Sequence, residues 1–273
     1  GTYVWPDSIG VNLQNATARG MTVIAMVKYT PSWAQKVPPY ACGAIKQDAL
    51  DDFAAFLQEV VRRYSVPPYN LKYIELGNEP DVEPEHVGTN YYSDFGCWGD
   101  NKEFYYGGGY YAEMLKVVYP AVKAVNPTVK ILIGGLLLAQ DYKEAAVHPS
   151  SRFFEGILLN GGGPYFDIAS FHSYPSWTEE VGLSVEESYF EWDQRGGMIE
   201  GKIAVLRELM AKYGFDKPII QTEAALNCYF NNQSQTDTCA DPAKLTKFYQ
   251  AQAEYVVGLY VRNWARGLLG TNW

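Results

Sequence analysis

The stretch Lys72-Tyr73-Ile74-Glu75-Leu76-Gly77-Asn78-Glu79-Pro80 decides how the chain is read. Residues 72–77 form a short apolar run broken by one acid, as expected for a strand buried on both faces. Pro80 has no N–H to continue a ladder, so the strand ends before it. Glu79 thus stands at the strand's C-terminal tip, where a long segment rich in Tyr, Asn and Gly (81–109) begins. Pro218-Ile219-Ile220-Gln221-Thr222-Glu223 repeats the arrangement, with Glu223 at the tip of a second apolar strand. Packing does not force a carboxylate onto either tip.

Further strands are predicted over 22–28, 130–138, 167–172 and 267–271. Helical patterns lie between them, over 6–19, 47–64, 110–125, 150–160, 201–213 and 242–264. Phe53, Phe56, Leu57, Val60 and Val61 recur at the spacing of a helix with one buried face. Gly20 and Gly214 sit where helices close, a position that favours positive φ. The alternation predicts repeated βα units around a parallel sheet, an α/β fold. The long segments follow the strands, which puts a single functional face at the strands' C-terminal ends. No linker divides the chain, and α/β barrels run to about 250 residues as one unit, so residues 1–273 read as one domain.

The chain is 47% hydrophobic and 19% charged, enough apolar material for a large core. Its net charge of −9, with no basic run beyond Arg62-Arg63, excludes the footprint of a nucleic-acid binder. No stretch approaches the about 18 apolar residues of a membrane helix. The glycine runs 107–109 and 161–163 are not followed by Lys-Ser/Thr, so no phosphate loop and no nucleotide cofactor is expected.

Cys42, Cys97, Cys228 and Cys239 show no zinc-type spacing, so no metal is expected. Two disulfides are the reading for a secreted protein: local spacing nominates Cys228 with Cys239, leaving Cys42 with Cys97. The alternative is four free thiols in a cytosolic enzyme. Acceptor sequons at Asn15 and Asn232 permit secretion, and Pro127 voids the one at Asn126.

Two carboxylates facing across a barrel mouth are what glycosidic hydrolysis needs: one protonates the leaving oxygen, the other attacks the anomeric carbon or activates water. A solvated pair of glutamates or a calcium site would use the same residue types.

Four ordered segments carry a resemblance. Tyr73 to Pro80, Pro218 to Glu223, Phe171-His172-Ser173-Tyr174-Pro175 and Tyr29-Thr30-Pro31-Ser32-Trp33-Ala34 look like the fourth, seventh, sixth and third strands of the clan A retaining glycoside hydrolases. Within that (β/α)8 clan the chain most resembles family 39 and its relatives. The resemblance implies that Glu79 is the general acid/base and Glu223 the nucleophile, with Asn78 on the sugar 2-hydroxyl. Tyr174 or His172 would bond the Glu223 carboxylate, though His172 also fits a core histidine satisfied by backbone. It implies polysaccharide or oligosaccharide as substrate and no cofactor. Trp33, Trp98, Trp177 and Trp273 are candidate sugar platforms, Trp273 foremost, although large aromatics also fill cores. Glu75 shares the inward parity of Glu79 and is expected to need a basic partner.

The chain departs from the clan at its start. Gly1-Thr2-Tyr3-Val4-Trp5-Pro6 matches the stretch after strand two, so strands one and two are expected to be absent and the natural protein longer. The partner that Glu75 needs is then expected on one of those strands. Six strands instead of eight would leave two open edges. The rival reading is a non-catalytic carbohydrate-binding barrel or an inert fragment of a glycosidase.

Overall fold

Apolar runs buried on both faces pair in parallel, and the strands do so here. The computed structural model describes residues 3–88, 90–144, 148–180, 192, 194–228, 230–231 and 236–273. Strands β1 (Ile24–Val27), β2 (Tyr73–Asn78) and β3 (Lys130–Gly135) form one ladder in that order. β4 (Ala169–Ser173) pairs with β5 (Ile219–Ala224). Bridges between Leu132 and Ile168 and between Leu136 and Phe171 join β3 to β4, and Gln221 bridges Thr271 beyond β5. The result is one parallel arc. Among the described residues it does not close into a barrel.

The strand predicted over 267–271 is reduced to that bridge. Gly267 takes a left-handed φ of 69°, and only Leu269, Gly270 and Asn272 exchange backbone bonds with Ile219 and Gln221. The helices are α1 (Asp7–Ala18), α2 (Leu50–Tyr64), α3 (Gly108–Val125), α4 (Phe153–Leu159), α5 (Met198–Lys212) and α6 (Pro242–Ala265). The predicted starts at 47 and 150 fall in 3-10 turns, Gln47–Ala49 and Pro149–Arg152, that lead into α2 and α4.

Two apolar layers follow from strand alternation. On the outer face Ile74, Leu76, Ile131 and Ile133 pack against Leu57 and Val61 of α2 and Leu115 and Val118 of α3. Leu57 is fully buried, and its truncation to Ala would cost about 2–5 kcal/mol. On the inner face Leu132, Ile168 and Ile220 cluster with Ile24 and Tyr73, so each strand contributes to one layer. The polar residues Glu75, Ser170 and Thr222 lie one step nearer the C-terminal ends.

The cysteines pair as Cys42–Cys97 and Cys228–Cys239, with Cα–Cα distances of 5.7 and 6.1 Å. The first ties the segment after β1 to the long segment after β2. Trp177 differs from its reading as a platform: it is 3% exposed and packs on Phe248 of α6. Asn15 lies exposed on α1, and the Asn232 sequon falls outside the described residues. Among the described residues no helix is long and apolar enough to cross a membrane.

Candidate active site

The two strand-tip glutamates are aimed by different backbone devices. On β5 the pairing runs Phe171 to Gln221 and then His172 to Glu223, so Thr222 is an extra residue in that strand. Simple alternation would send Glu223 outward with Gln221, which meets Asn263 of α6. The bulge turns Glu223 back toward the inner face while Thr222 keeps its inward aim. On β2 the turn falls at Glu79 itself, at φ 46°, a strained position for a residue with a side chain. Its N–H donates to Gly135 O at 3.1 Å, which holds the strained tip against β3.

His172 stands between them, fully buried. Its Nδ1 lies 2.9 Å from Glu79 Oε1 and 3.5 Å from Glu223 Oε2, and its Nε2 lies 3.1 Å from Thr222 Oγ1. The Tyr174 hydroxyl donates to Glu223 Oε2. Burial, then the Glu223 partner, pushes the Tyr174 phenol far above its usual range, so it stays a donor. Of the two partners left open for Glu223, Tyr174 makes the bond and His172 belongs chiefly to Glu79. The glutamates meet unlike surroundings: the Glu79 side chain is 9% exposed and that of Glu223 is 35% exposed.

The backbone makes room for this ring. A Cβ at Gly135 would overlap His172 Nε2, so β3 needs glycine there. Lys202 of α5 donates to His172 O at 2.9 Å and to Leu137 O at 2.6 Å, fixing the end of β4 against the segment after β3. Asp81 accepts from Leu137 N and Leu138 N at 3.0 and 2.8 Å. Burial still pushes its carboxyl up to about 6, with Glu79 adding to the shift.

Glu75 departs from expectation. Its partners are not cationic: Ser170 Oγ and Thr222 Oγ1 lie 2.7 and 2.9 Å from its Oε1. Burial pushes its carboxyl up against these hydroxyls. A buried acid can be satisfied by staying neutral, which needs no base. Thr222, Ser170 and Gly135 were not singled out from sequence. For the two hydroxyls the available signal was strand parity with the inward Glu75.

Asn78 donates its Nδ2 to Asp94 O at 2.9 Å, and its Oδ1 is buried without a partner. Asp94 in turn accepts from Lys28 Nζ and Tyr29 OH, each at 2.5 Å. Beside them opens a cleft lined by Lys28, Tyr29, Asn78, Asp94, Phe95 and Trp98. Trp33 and Trp273 are exposed at 59% and 44%, and the Trp273 ring meets Tyr255 of α6. The site thus brings together Glu79, Glu223, His172 and Tyr174; the two exposed tryptophans make no part of that bonded group.

One donor atom each from Glu79, His172 and Glu223 falls within 4.8 Å of the others, the only such trio among the described residues. Glu79 and Nδ1 are already spent on a mutual hydrogen bond.

No protein-family model matches the sequence, and no curated protein matches it. Solved structures do. A family 39 glycoside hydrolase from Bacteroides cellulosilyticus aligns at TM-score 0.55 and 20% identity, over 92% of this chain and 44% of its own. The GH53 catalytic domain from Ignisphaera aggregans aligns at 0.56 and 18%, over 96% of this chain and 65% of its own. A conserved exported protein from Bacteroides fragilis aligns at 0.50 and 14%, over 76% and 40%. The chain therefore spans less than two thirds of each of these proteins. Similarity over nearly the whole chain, in a parallel arc with its polar site at the strands' C-terminal ends, shows an α/β fold like that of the matching part of these glycoside hydrolases.

Proposed function

We propose that the chain is the catalytic barrel of a retaining β-glycoside hydrolase, with Glu79 as acid/base and Glu223 as nucleophile. The observation that carries this reading is the pair of carboxylates converging on one histidine, their oxygens within 4.8 Å. Carboxyl separations of about 5–5.5 Å go with retention and about 6.5–9.5 Å with inversion. Oxygens this near one another support the closer class. In the first step Glu223 attacks the anomeric carbon as the glycosidic C–O bond breaks, and Glu79 gives its proton to the leaving oxygen. In the second Glu79 takes a proton from water, whose oxygen displaces Glu223 from the sugar. The Tyr174 hydroxyl holds Glu223 in line and supports its charge as leaving group. Asn78, which lines the cleft beside the glutamates, is the proposed contact for a sugar hydroxyl.

The substrate class is polysaccharide or oligosaccharide, with Trp33 and Trp273 as exposed faces for pyranose rings. Two disulfides and the likeness to an exported protein support secretion. Both edges of the arc are unpaired among the described residues, where a closed barrel would have none.

Intact-mass spectrometry with a panel of 2-deoxy-2-fluoro glycosides tests the reading. A glycosyl adduct mapped to Glu223 is the expected outcome and would also name the sugar. Ligand binding with neither adduct nor turnover across the panel would favour a non-catalytic carbohydrate-binding barrel.

A further inference from the structure

Beneath the two glutamates runs a line of polar groups that the hydrolytic steps do not use. Glu79 Oε1 meets His172 Nδ1 at 2.9 Å, and His172 Nε2 meets Thr222 Oγ1 at 3.1 Å. Thr222 Oγ1 meets Glu75 Oε1 at 2.9 Å, and Glu75 Oε1 meets Ser170 Oγ at 2.7 Å. Ser170 Oγ ends the line on Ile133 O at 2.5 Å.

The last group is a carbonyl and can only accept, so it sets the direction of the whole line. Ser170 gives its single hydrogen to Ile133 O. The contact between Ser170 and Glu75 then needs a hydrogen that only Glu75 can supply. Thr222 spends its hydrogen on Glu75 Oε1 and keeps a lone pair for the ring, so His172 Nε2 carries N–H. One hydrogen remains to be placed, between Nδ1 and Glu79. Every contact is satisfied when Glu75 is the neutral acid, and one fails when it is ionised.

The surroundings of Glu75 agree. It is 1% exposed, and the titratable groups facing it are His172 on β4, Glu223 on β5 and Tyr111 on α3. The Tyr111 hydroxyl is turned to Leu76 O at 2.5 Å and Gly134 N at 2.9 Å. From β1 and β3 the inner face presents Ile24 and Leu132.

We propose that Glu75 is a positioning residue, held as the neutral acid, that acts through Thr222 to fix His172 as the Nε2–H tautomer and so keeps the shared proton on Glu79. An ionised Glu75 would favour an imidazolium at His172, which would take that proton and leave the glycosidic oxygen without a donor. The catalytic consequence rests on the reading of Glu79 as acid/base; the protonation pattern stands apart from it.

The chain has three histidines, so His86→Gln with His148→Gln leaves the His172 ring alone in a ¹⁵N-histidine spectrum. The expected pattern is a pyrrole-type Nε2 and an imine-type Nδ1. An infrared difference between the parent protein and Glu75→Gln should show a lost protonated-carboxyl band. Thr222→Val should admit the Nδ1–H tautomer and move the alkaline limb of kcat/KM down by about one pH unit, with Thr222→Ser restoring it. An imidazolium or Nδ1–H ring in the parent protein, or a lost carboxylate band in place of the acid band, would overturn the proposal. An unmoved limb in Thr222→Val would do the same. The expected ring pattern in a protein with no turnover would overturn the glycosidase reading and leave the protonation pattern supported.

Discussion

Glu79 Oε1 and His172 Nδ1 form a buried 2.9 Å hydrogen bond across the inner face, between residues 93 positions apart in the chain. It places the proton that the proposed chemistry needs on a group with one partner and little solvent. Glu79→Ala should therefore remove both acid and base assistance. Turnover of unactivated glycosides should fall at least about a thousandfold, while an activated aryl glycoside still glycosylates Glu223. Azide, which needs no deprotonation, should then restore turnover and give a glycosyl azide of retained configuration. Restoration with inverted product would exclude the double displacement.

Tyr174 is held to Glu223 by a charge-assisted bond and packs its ring 6.4 Å from that of His172. Tyr174→Phe keeps the ring and removes the donor. Loss of a hydrogen bond to a charged group costs about 1.5–3 kcal/mol, or roughly ten- to a hundredfold in rate. The check is kcat for an activated substrate, where release of Glu223 limits turnover. An unchanged kcat would remove Tyr174 from the nucleophile's support.

Gly135→Ala places a methyl on the His172 ring. The ring has little freedom to retreat, because Glu79 and Thr222 hold its two nitrogens and Lys202 fixes its backbone. Overpacking of this kind costs about 1–3 kcal/mol in stability, and activity should fall much further than stability does. Thermal unfolding with kcat/KM on the same sample separates the two effects.

Asp81 links stability to pH. Its ordinary value of 3.8 is pushed up to about 6 by burial, so between these values the folded chain holds a proton that the unfolded chain has released. The group's contribution to stability is fully present below about pH 4 and is lost as the pH rises through about 6, a swing of about 3 kcal/mol. In Asp81→Asn that titration is gone. The unfolding free energy of the parent minus that of the variant should shrink by up to this amount from pH 4 to pH 7 in urea titrations. A difference that stays constant with pH would contradict it.

Local chemistry made the strand tips legible. An apolar run stopped by Pro80 marks Glu79 whatever its neighbours do, and Glu223 closes a similar run. The amphipathic spacing of α2 likewise needs no partner to be read. The ends of α4 and the strand over 267–271 were less legible, because 3-10 turns and a glycine-bent edge depend on what lies beside them.

The sequence by itself determined the alternation of strands and helices, the two carboxylates at strand ends and an even set of cysteines, because each rests on periodicity or on neighbours in the chain. Tertiary structure alone decided that Thr222 is the extra residue turning Glu223 inward and that His172 binds Glu79. It alone decided that Gly135 makes room for the ring and that Glu75 meets two hydroxyls rather than a base. These depend on the register between strands far apart in sequence, and a shift of one residue would turn each of those side chains to the other face.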